Sequence, residues 1–297
     1  MSHIPVLLNE TIDGLKLKQG DTVFDATLGD GGHAAEICER IGREGTLIGV
    51  DLDEGAVRRA KEKTTACTAT THFTKENFRN LDAVLQKEGI AKIDKALFDL
   101  GMSSVEIETS GRGFSFRRDE PLLMTFDSDP NYGVLTAERI VNTWPEEDIE
   151  RVLREYGEER FARRIAETIV ARREEKKIER TGDLAAIVNG CYPGRLRRGD
   201  SSAKTFQALR IAVNDELKAL EEGLKKAAER LAPEGRIAVI SFHSLEDRIV
   251  KRYFREIAKE EMWNIVTKRP ITAGKEELAA NPRSRSAKLR IVEKHEA

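Results

Sequence analysis

Four short stretches of the 297-residue chain carry residues whose types and spacing suit chemistry. The first is Asp25-Ala-Thr-Leu-Gly29-Asp30-Gly31-Gly32-His33, which follows the strand-like run 21–24. The second is Asp51, at the end of the next apolar run and twenty residues after Gly31. Glycines after a buried strand allow a sharp turn and close approach of a ligand, and a carboxylate ending the neighbouring strand can accept ribose hydroxyls. Together they describe a nucleoside pocket. Gly29-x-Gly31-x-x-Ala34 also fits the dinucleotide pattern, which sets a pyrophosphate against a helix N-terminus. Asp25 and Asp30 in the same space would repel a dianion there. S-adenosylmethionine carries a cationic sulfur and an ammonium but no phosphate, so the acidic loop favours a methyl donor over a dinucleotide. A turn that binds nothing stays open as the plainest alternative.

The third stretch, Asp99-Leu-Gly101-Met-Ser-Ser104, directly follows the fourth strand-like run. An acid there would line the reacting centre. Methylating an exocyclic base amine is hard because the nitrogen lone pair is delocalised into the ring. Acceptors on its N–H bonds draw it towards a tetrahedral, nucleophilic geometry, and alignment supplies much of the remaining rate. Asp99 is the candidate acceptor, and a turn-capping role is its structural alternative. Ser241-Phe-His243-Ser244-Leu-Glu-Asp247 leaves the fifth strand and enters a helix. Ser244-x-x-Asp247 suits a capping box, and His243, at the same sheet edge as Asp99, is a candidate for catalytic contact with substrate. No cysteine or histidine spacing suggests a metal site.

These residues need a sheet edge to hold them. Runs at 23–25, 46–51, 70–73 and 96–99 are short and apolar or β-branched, alternating with amphipathic stretches such as 34–41 and 54–63. This is a parallel α/β pattern. From about 111 to 205 the pattern turns to charged helical segments, notably 146–156 and 160–175. Strand character returns at 236–242, 264–268 and 288–293, after a helix at 216–231. The sheet domain therefore spans 1–110 and 206–297, interrupted by a helical insertion at 111–205.

Hydrophobic residues make up 39% and charged residues 34% of the chain, with a net charge of -2. No apolar run is long enough to span a bilayer, and the N-terminus lacks a secretory pattern, so the expectation is a cytoplasmic protein. Cys38, Cys67 and Cys191 are odd in number and widely spaced, which reads as buried thiols. Nucleic-acid binding would have to rest on local basic clusters: 112–118, 160–180, 195–204 and 283–290. The second is offset by glutamates. The third and fourth are less balanced and favour phosphate contact. Phe114 and Phe116 lie between arginines, as base stacking would require, and equally suit a core.

Taken in order, these segments resemble the bacterial small-subunit ribosomal RNA methyltransferase H family, also called MraW. The resemblance runs nearly end to end. It takes in His3-x-Pro-Val-Leu-Leu-Asn-Glu10, the glycine loop, Asp99 to Ser104, Arg112-Gly-Phe-Ser-Phe-Arg117, Tyr156-Gly-Glu-Glu-Arg-Phe161, the run 206–216, the run 240–251 and Asn281-Pro-Arg-Ser-Arg-Ser286. It implies a class I (Rossmann-like) S-adenosylmethionine-dependent methyltransferase domain with an all-helical insertion that helps hold RNA. The activity it implies is methylation of N4 of a cytidine in the decoding centre of 16S rRNA, in the small ribosomal subunit or its assembly intermediate. Gly31, Gly32 and His33 would then contact the donor, Asp51 its ribose, Phe78 its adenine, and Asp99 the centre near the methyl group. Glu106 stands where the family usually has glutamine, after Val105 in place of proline, and the stretch 200–204 departs from the family's His-Pro-Ala-Thr-Arg. Two other readings compete: an RNA-binding assembly factor without turnover, and an NAD-dependent oxidoreductase on the glycine pattern alone. Oligomeric state is left open, a homodimer being one of the options.

Overall fold

The computed structural model describes residues 4–102, 107, 109–127, 134–194 and 201–296. The chain divides into two compact units, residues 1–102 with 217–297 and residues 103–216.

The first unit is built on seven strands: β1 (Thr22–Asp25), β2 (Thr46–Asp51), β3 (Thr70–Lys75), β4 (Ile93–Asp99), β5 (Leu231–Ser241), β6 (Trp263–Ile265) and β7 (Lys288–Lys294). Their order in the sheet is β3-β2-β1-β4-β5-β7-β6. The pairs from β3 through β5 are parallel, and β7 is antiparallel to both neighbours. This order, with one reversed strand, is that of the class I methyltransferase fold. α1 (Leu8–Leu15) precedes β1, and α2 (Gly32–Ile41), α3 (Glu54–Lys63) and α4 (Leu81–Lys87) lie between the early strands. Because helices cover both faces, the central strands are apolar throughout, and their alternate residues feed two cores. Val23, Leu47 and Leu97 pack with Ala34, Ile37 and Ile41. Phe24, Ile48 and Phe98 enter the opposite cluster with Leu220, Leu224 and Phe254.

The sheet order reverses at β1, which lies between β2 and β4. A ligand crevice forms at the carboxyl edge of such a switch point, and there the strands end in Asp25, Asp51 and Asp99.

The second unit contains α5 (Ala137–Thr143), α6 (Glu146–Gly157), α7 (Ala162–Glu175), α8 (Thr181–Cys191) and α9 (Ala203–Asn214). Its borders differ from 110/111 and 205/206 because α9 packs along α6: a Cβ on Gly157 would sit 2.7 Å from the Lys204 carbonyl oxygen. The run 206–216 is mostly a structural clasp. Arg210 pairs both its Nε and Nη2 with Glu216 at 2.8 Å, and Asn214 bonds the backbone of Met124 and Phe126. The remaining helices, α10 (Glu216–Arg230), α11 (Ser244–Ile257) and α12 (Lys275–Ala280), lead into and through the C-terminal half of the sheet.

Several expectations are corrected. Cys38 and Cys67 are joined by a disulfide with Cα atoms 5.7 Å apart, and Cys191 alone is a buried thiol. Cys38 lies on α2 and Cys67 just beyond α3, which pack together, and that proximity is invisible in a separation of 29 residues. β5 begins at Leu231, well before Arg236, because Leu231 pairs with Ile93 ahead of a register shift that absorbs Pro233 and Gly235. β6 stops at Ile265, since the next two backbone N–H groups, of Val266 and Thr267, converge on the Ile291 carbonyl. Among the described residues no helix is long and apolar enough to cross a membrane.

Candidate active site

The glycine loop is shaped first by the protein's own packing. Gly31 is the N-cap of α2 with φ 73°, and a Cβ there would lie 2.7 Å from the Ala60 Cα on α3. A Cβ on Gly32 would meet Pro5 at 2.2 Å, so the N-terminal segment lies directly over the loop. That segment is tied down from the far end of the chain: Glu277 Oε1 accepts the Leu7 N–H at 2.7 Å, and Asn281 Nδ2 donates to the Ile4 carbonyl at 3.0 Å.

Asp51 is bound to this loop. Its Oδ2 accepts the Gly29 N–H and its Oδ1 the Asp53 N–H, each at 2.9 Å. A carboxylate oxygen has two lone pairs, so each keeps one for a hydroxyl donor. Burial pushes the Asp51 carboxyl up to about 6 against those two N–H donors. Phe78 begins a short 3-10 turn after β3; its ring meets Phe98 edge-on at 5.6 Å and packs over Gly223.

Asp99 is held from both ends. Its backbone N–H donates to Thr27 Oγ1 at 2.8 Å, and its Oδ2 lies 3.4 Å from His33 Nδ1. Although 19% of the side chain reaches the surface, lost solvation pushes its carboxyl up to about 7, opposed by the Gly101 N–H and assisted by the Glu246 charge. Its Oδ1 is buried and has no hydrogen-bond partner among the described residues.

Two acids do not act as the sequence suggests. Asp25 is fully buried, with Oδ1 accepting the Thr27 N–H at 3.1 Å. Burial raises its carboxyl well above the ordinary value, against the Thr27 N–H, and the Asp99 and Asp51 charges raise it further. Asp30 forms an ion pair with Arg59 at 2.7 Å, and Arg59 also reaches Asp53 at 3.6 Å. The acidity facing the crevice therefore rests on Asp51 and Asp99, not on Asp25 and Asp30. Thr27, Arg59 and Glu246 were missed by sequence reading. Only Glu246 left a trace there, three residues after His243.

His243 is the N-cap of α11. Its Nδ1 accepts the Glu246 N–H at 3.4 Å while Glu246 Oε2 accepts the N–H groups of Phe242 and His243, a capping box one residue earlier than Ser244 and Asp247 suggest. Its Nε2 lies 3.1 Å from Glu246 Oε1. Capping uses only Nδ1; Nε2 is buried and has no hydrogen-bond partner among the described residues. Asp247 instead pairs with Arg290 at 2.7 Å and Lys288 at 3.3 Å, which balances part of the last basic cluster. Glu106, with its neighbours 103–105, lies outside the described residues, as do Arg195, Arg197, Arg198 and Asp200.

Within the clusters 112–118 and 160–180, several arginines are committed to contacts inside the helical unit. Arg112 is buried and donates to the Thr125 and Phe126 carbonyls. Phe114 is buried and stacks on Phe126, and the half-buried Phe116 meets Phe206 edge-on, each pair with centroids 5.6 Å apart. Along α7 and beyond it, Arg163, Arg172 and Arg180 pair with Glu167, Glu175 and Asp119.

Comparison with known proteins adds a separate line of observation. The chain is 46% identical to the ribosomal RNA small subunit methyltransferase H of Symbiobacterium thermophilum, over 99% of this chain and 97% of that protein. It is 44% identical to the protein of the same name from Heliobacterium modesticaldum, over 98% of both. Among solved structures, one from Streptococcus mutans in complex with SAH is similar with a TM-score of 0.45 and 12% identity, over 98% of this chain and 99% of that one. A family model described as the MraW methylase family matches residues 1–295. With a match of that extent and a sheet whose carboxyl edge gathers a glycine loop, Asp51 and Asp99, the chain belongs to the MraW methylase family.

Proposed function

We propose that this chain transfers a methyl group from S-adenosylmethionine to N4 of a cytidine in the decoding centre of 16S rRNA. Membership of a methylase family sets aside the nicotinamide reading of the glycine pattern. The residues present fit the donor. Asp51 retains a lone pair on each oxygen for a ribose hydroxyl, and the turn at Gly31 brings backbone to the crevice. Phe78 offers a half-buried ring beside the same edge for the adenine, and His33 and Gly32 open α2 next to Asp99. When bound, S-adenosylmethionine supplies a methyl carbon made electrophilic by its positive sulfur.

The single observation that carries the reading is Asp99 Oδ1, a buried acceptor without a partner among the described residues, beside the glycine loop at the end of β4. A buried carboxylate oxygen in that state is costly for a purely structural residue. Aimed at an exocyclic amine, it accepts an N–H, pulls the nitrogen lone pair out of conjugation, and takes the proton released on methylation. The helical unit and the arginines of the 283–286 turn would hold the RNA backbone.

The test is transfer of labelled methyl groups into small-subunit particles lacking the modification, with mass-spectrometric mapping of the product nucleoside. N4-methylcytidine at one decoding-centre position is expected. Asp99→Ala should lower transfer at least 100-fold, on the scale of losing an acid–base group, while S-adenosylhomocysteine still binds. Particle binding without any methyl incorporation by the unaltered protein would mark an assembly factor instead.

A further inference from the structure

We propose that His33 is a positioning residue for Asp99: its Nδ1 engages Oδ2 of the carboxyl, so that Oδ1 is the oxygen left to accept an N–H of the substrate amine. The inference rests on the reading above, in which Asp99 faces the amine to be methylated. The resemblance assigns His33 only a contact with the donor; its relation to Asp99 comes from the geometry.

His33 is the second residue of α2, and its side chain is 7% exposed. The start of that helix cannot shift freely, because Gly31 is packed against the Ala60 backbone and Gly32 lies beneath Pro5. Asp99 is equally fixed, through its N–H to Thr27 Oγ1. The approach of Nδ1 to Oδ2 at 3.4 Å therefore joins two side chains whose backbones are each clamped. With Oδ2 engaged, the carboxyl plane is set and Oδ1 is directed by it.

The electrostatics agree. A neutral ring with its proton on Nδ1 donates to Oδ2 and favours the anionic carboxyl. The other groups acting on Asp99 oppose this: Glu246 on α11 adds negative charge and burial removes water, while the Gly101 N–H favours the anion. Asp99 is thus balanced near neutral pH, where loss of one donor is felt most.

The deciding experiment is the pH dependence of single-turnover methyl transfer to small-subunit particles at saturating donor, for the unaltered protein, His33→Ala and His33→Asn. Transfer by the unaltered protein should rise with pH to a plateau as Asp99 ionises. His33→Ala should lower the plateau about 10- to 100-fold, the scale of a misplaced reacting group, and displace the rising limb towards alkaline pH, because a donor to the carboxylate is lost. His33→Asn, whose amide can reach the place of Nδ1, should recover part of both. If His33→Ala only weakens donor binding and leaves plateau and limb unchanged, the inference is overturned while the methyl-transfer reading stands. If the unaltered protein binds S-adenosylhomocysteine but transfers no methyl group at any pH, the reading itself fails. A second measurement covers variants that do not fold: nitrogen NMR of the unaltered protein should show the His33 ring sensing an ionisation that Asp99→Asn removes. A ring insensitive to that substitution overturns the inference.

Discussion

The Asp99 carboxyl, pushed up to about 7 by burial, makes stability as well as chemistry depend on pH. Its folded value lies above the ordinary 3.8. Between those two values the folded chain keeps a proton that the unfolded chain has released, so this group's contribution to stability falls as pH climbs through that window and is flat above it. Asp99→Asn removes the ionisation. The variant should gain on the order of 2–4 kcal/mol over the parent at pH 8 and little near pH 4, read from thermal melts across that range. At this scale the chemical residue types were legible and their partners were not. Asp99, Asp51 and Gly31 stand out in the sequence because an acid or a glycine ends a strand. The Asp30 to Arg59 pair, the Asp247 to Arg290 pair and the Thr27 bond to Asp99 join residues from separate elements, and nothing local encodes them. The capping box at the start of α11 was misplaced for the opposite reason: the local pattern is present, but it begins one residue earlier, at His243.

At the scale of elements, α2 and α3 form a clamped pair behind the candidate donor site. The Cys38–Cys67 disulfide closes a loop of 29 residues across them, a constraint of about 2 to 4 kcal/mol on the unfolded chain. A reductant should lower the melting temperature of the unaltered protein by several degrees and leave a Cys38→Ser, Cys67→Ser variant unmoved. Gly31→Ala, placed at φ 73° against the Ala60 backbone, should destabilise the fold by about 1–3 kcal/mol and weaken S-adenosylhomocysteine binding in calorimetry, because the start of α2 must move. Strand positions were readable to within a few residues where burial on both faces made the runs apolar. They failed at β5 and β6, where a register shift and a doubled hydrogen bond to Ile291 set the ends.

Across the whole molecule, a net charge of -2 means that attraction to RNA must come from local groups. Much of the basic content is already committed: Arg112 to backbone carbonyls, the α7 arginines to glutamates, Lys288 and Arg290 to Asp247. On the 282–286 turn, Ser284 is buried while Arg285 is exposed. Replacing Arg285 by glutamate should weaken binding to small-subunit RNA several-fold at low salt and reduce the salt slope by about 1, with donor affinity unchanged. The helical interruption of the sheet was legible from the change in periodicity. Its exact border was not, because the amphipathic run 206–216 reads the same whichever unit it packs against.

That interruption also orders events during synthesis. β4 occupies the middle of the finished sheet, yet its neighbour β5 starts only at Leu231, after every residue of the helical unit has been made. At roughly 5–20 residues per second the nascent chain spends on the order of ten seconds with β4 as an open, apolar edge. During that time its unpaired backbone is a template for the wrong strand. Half of the sheet must therefore wait with one side of β4 unpaired until the other half emerges.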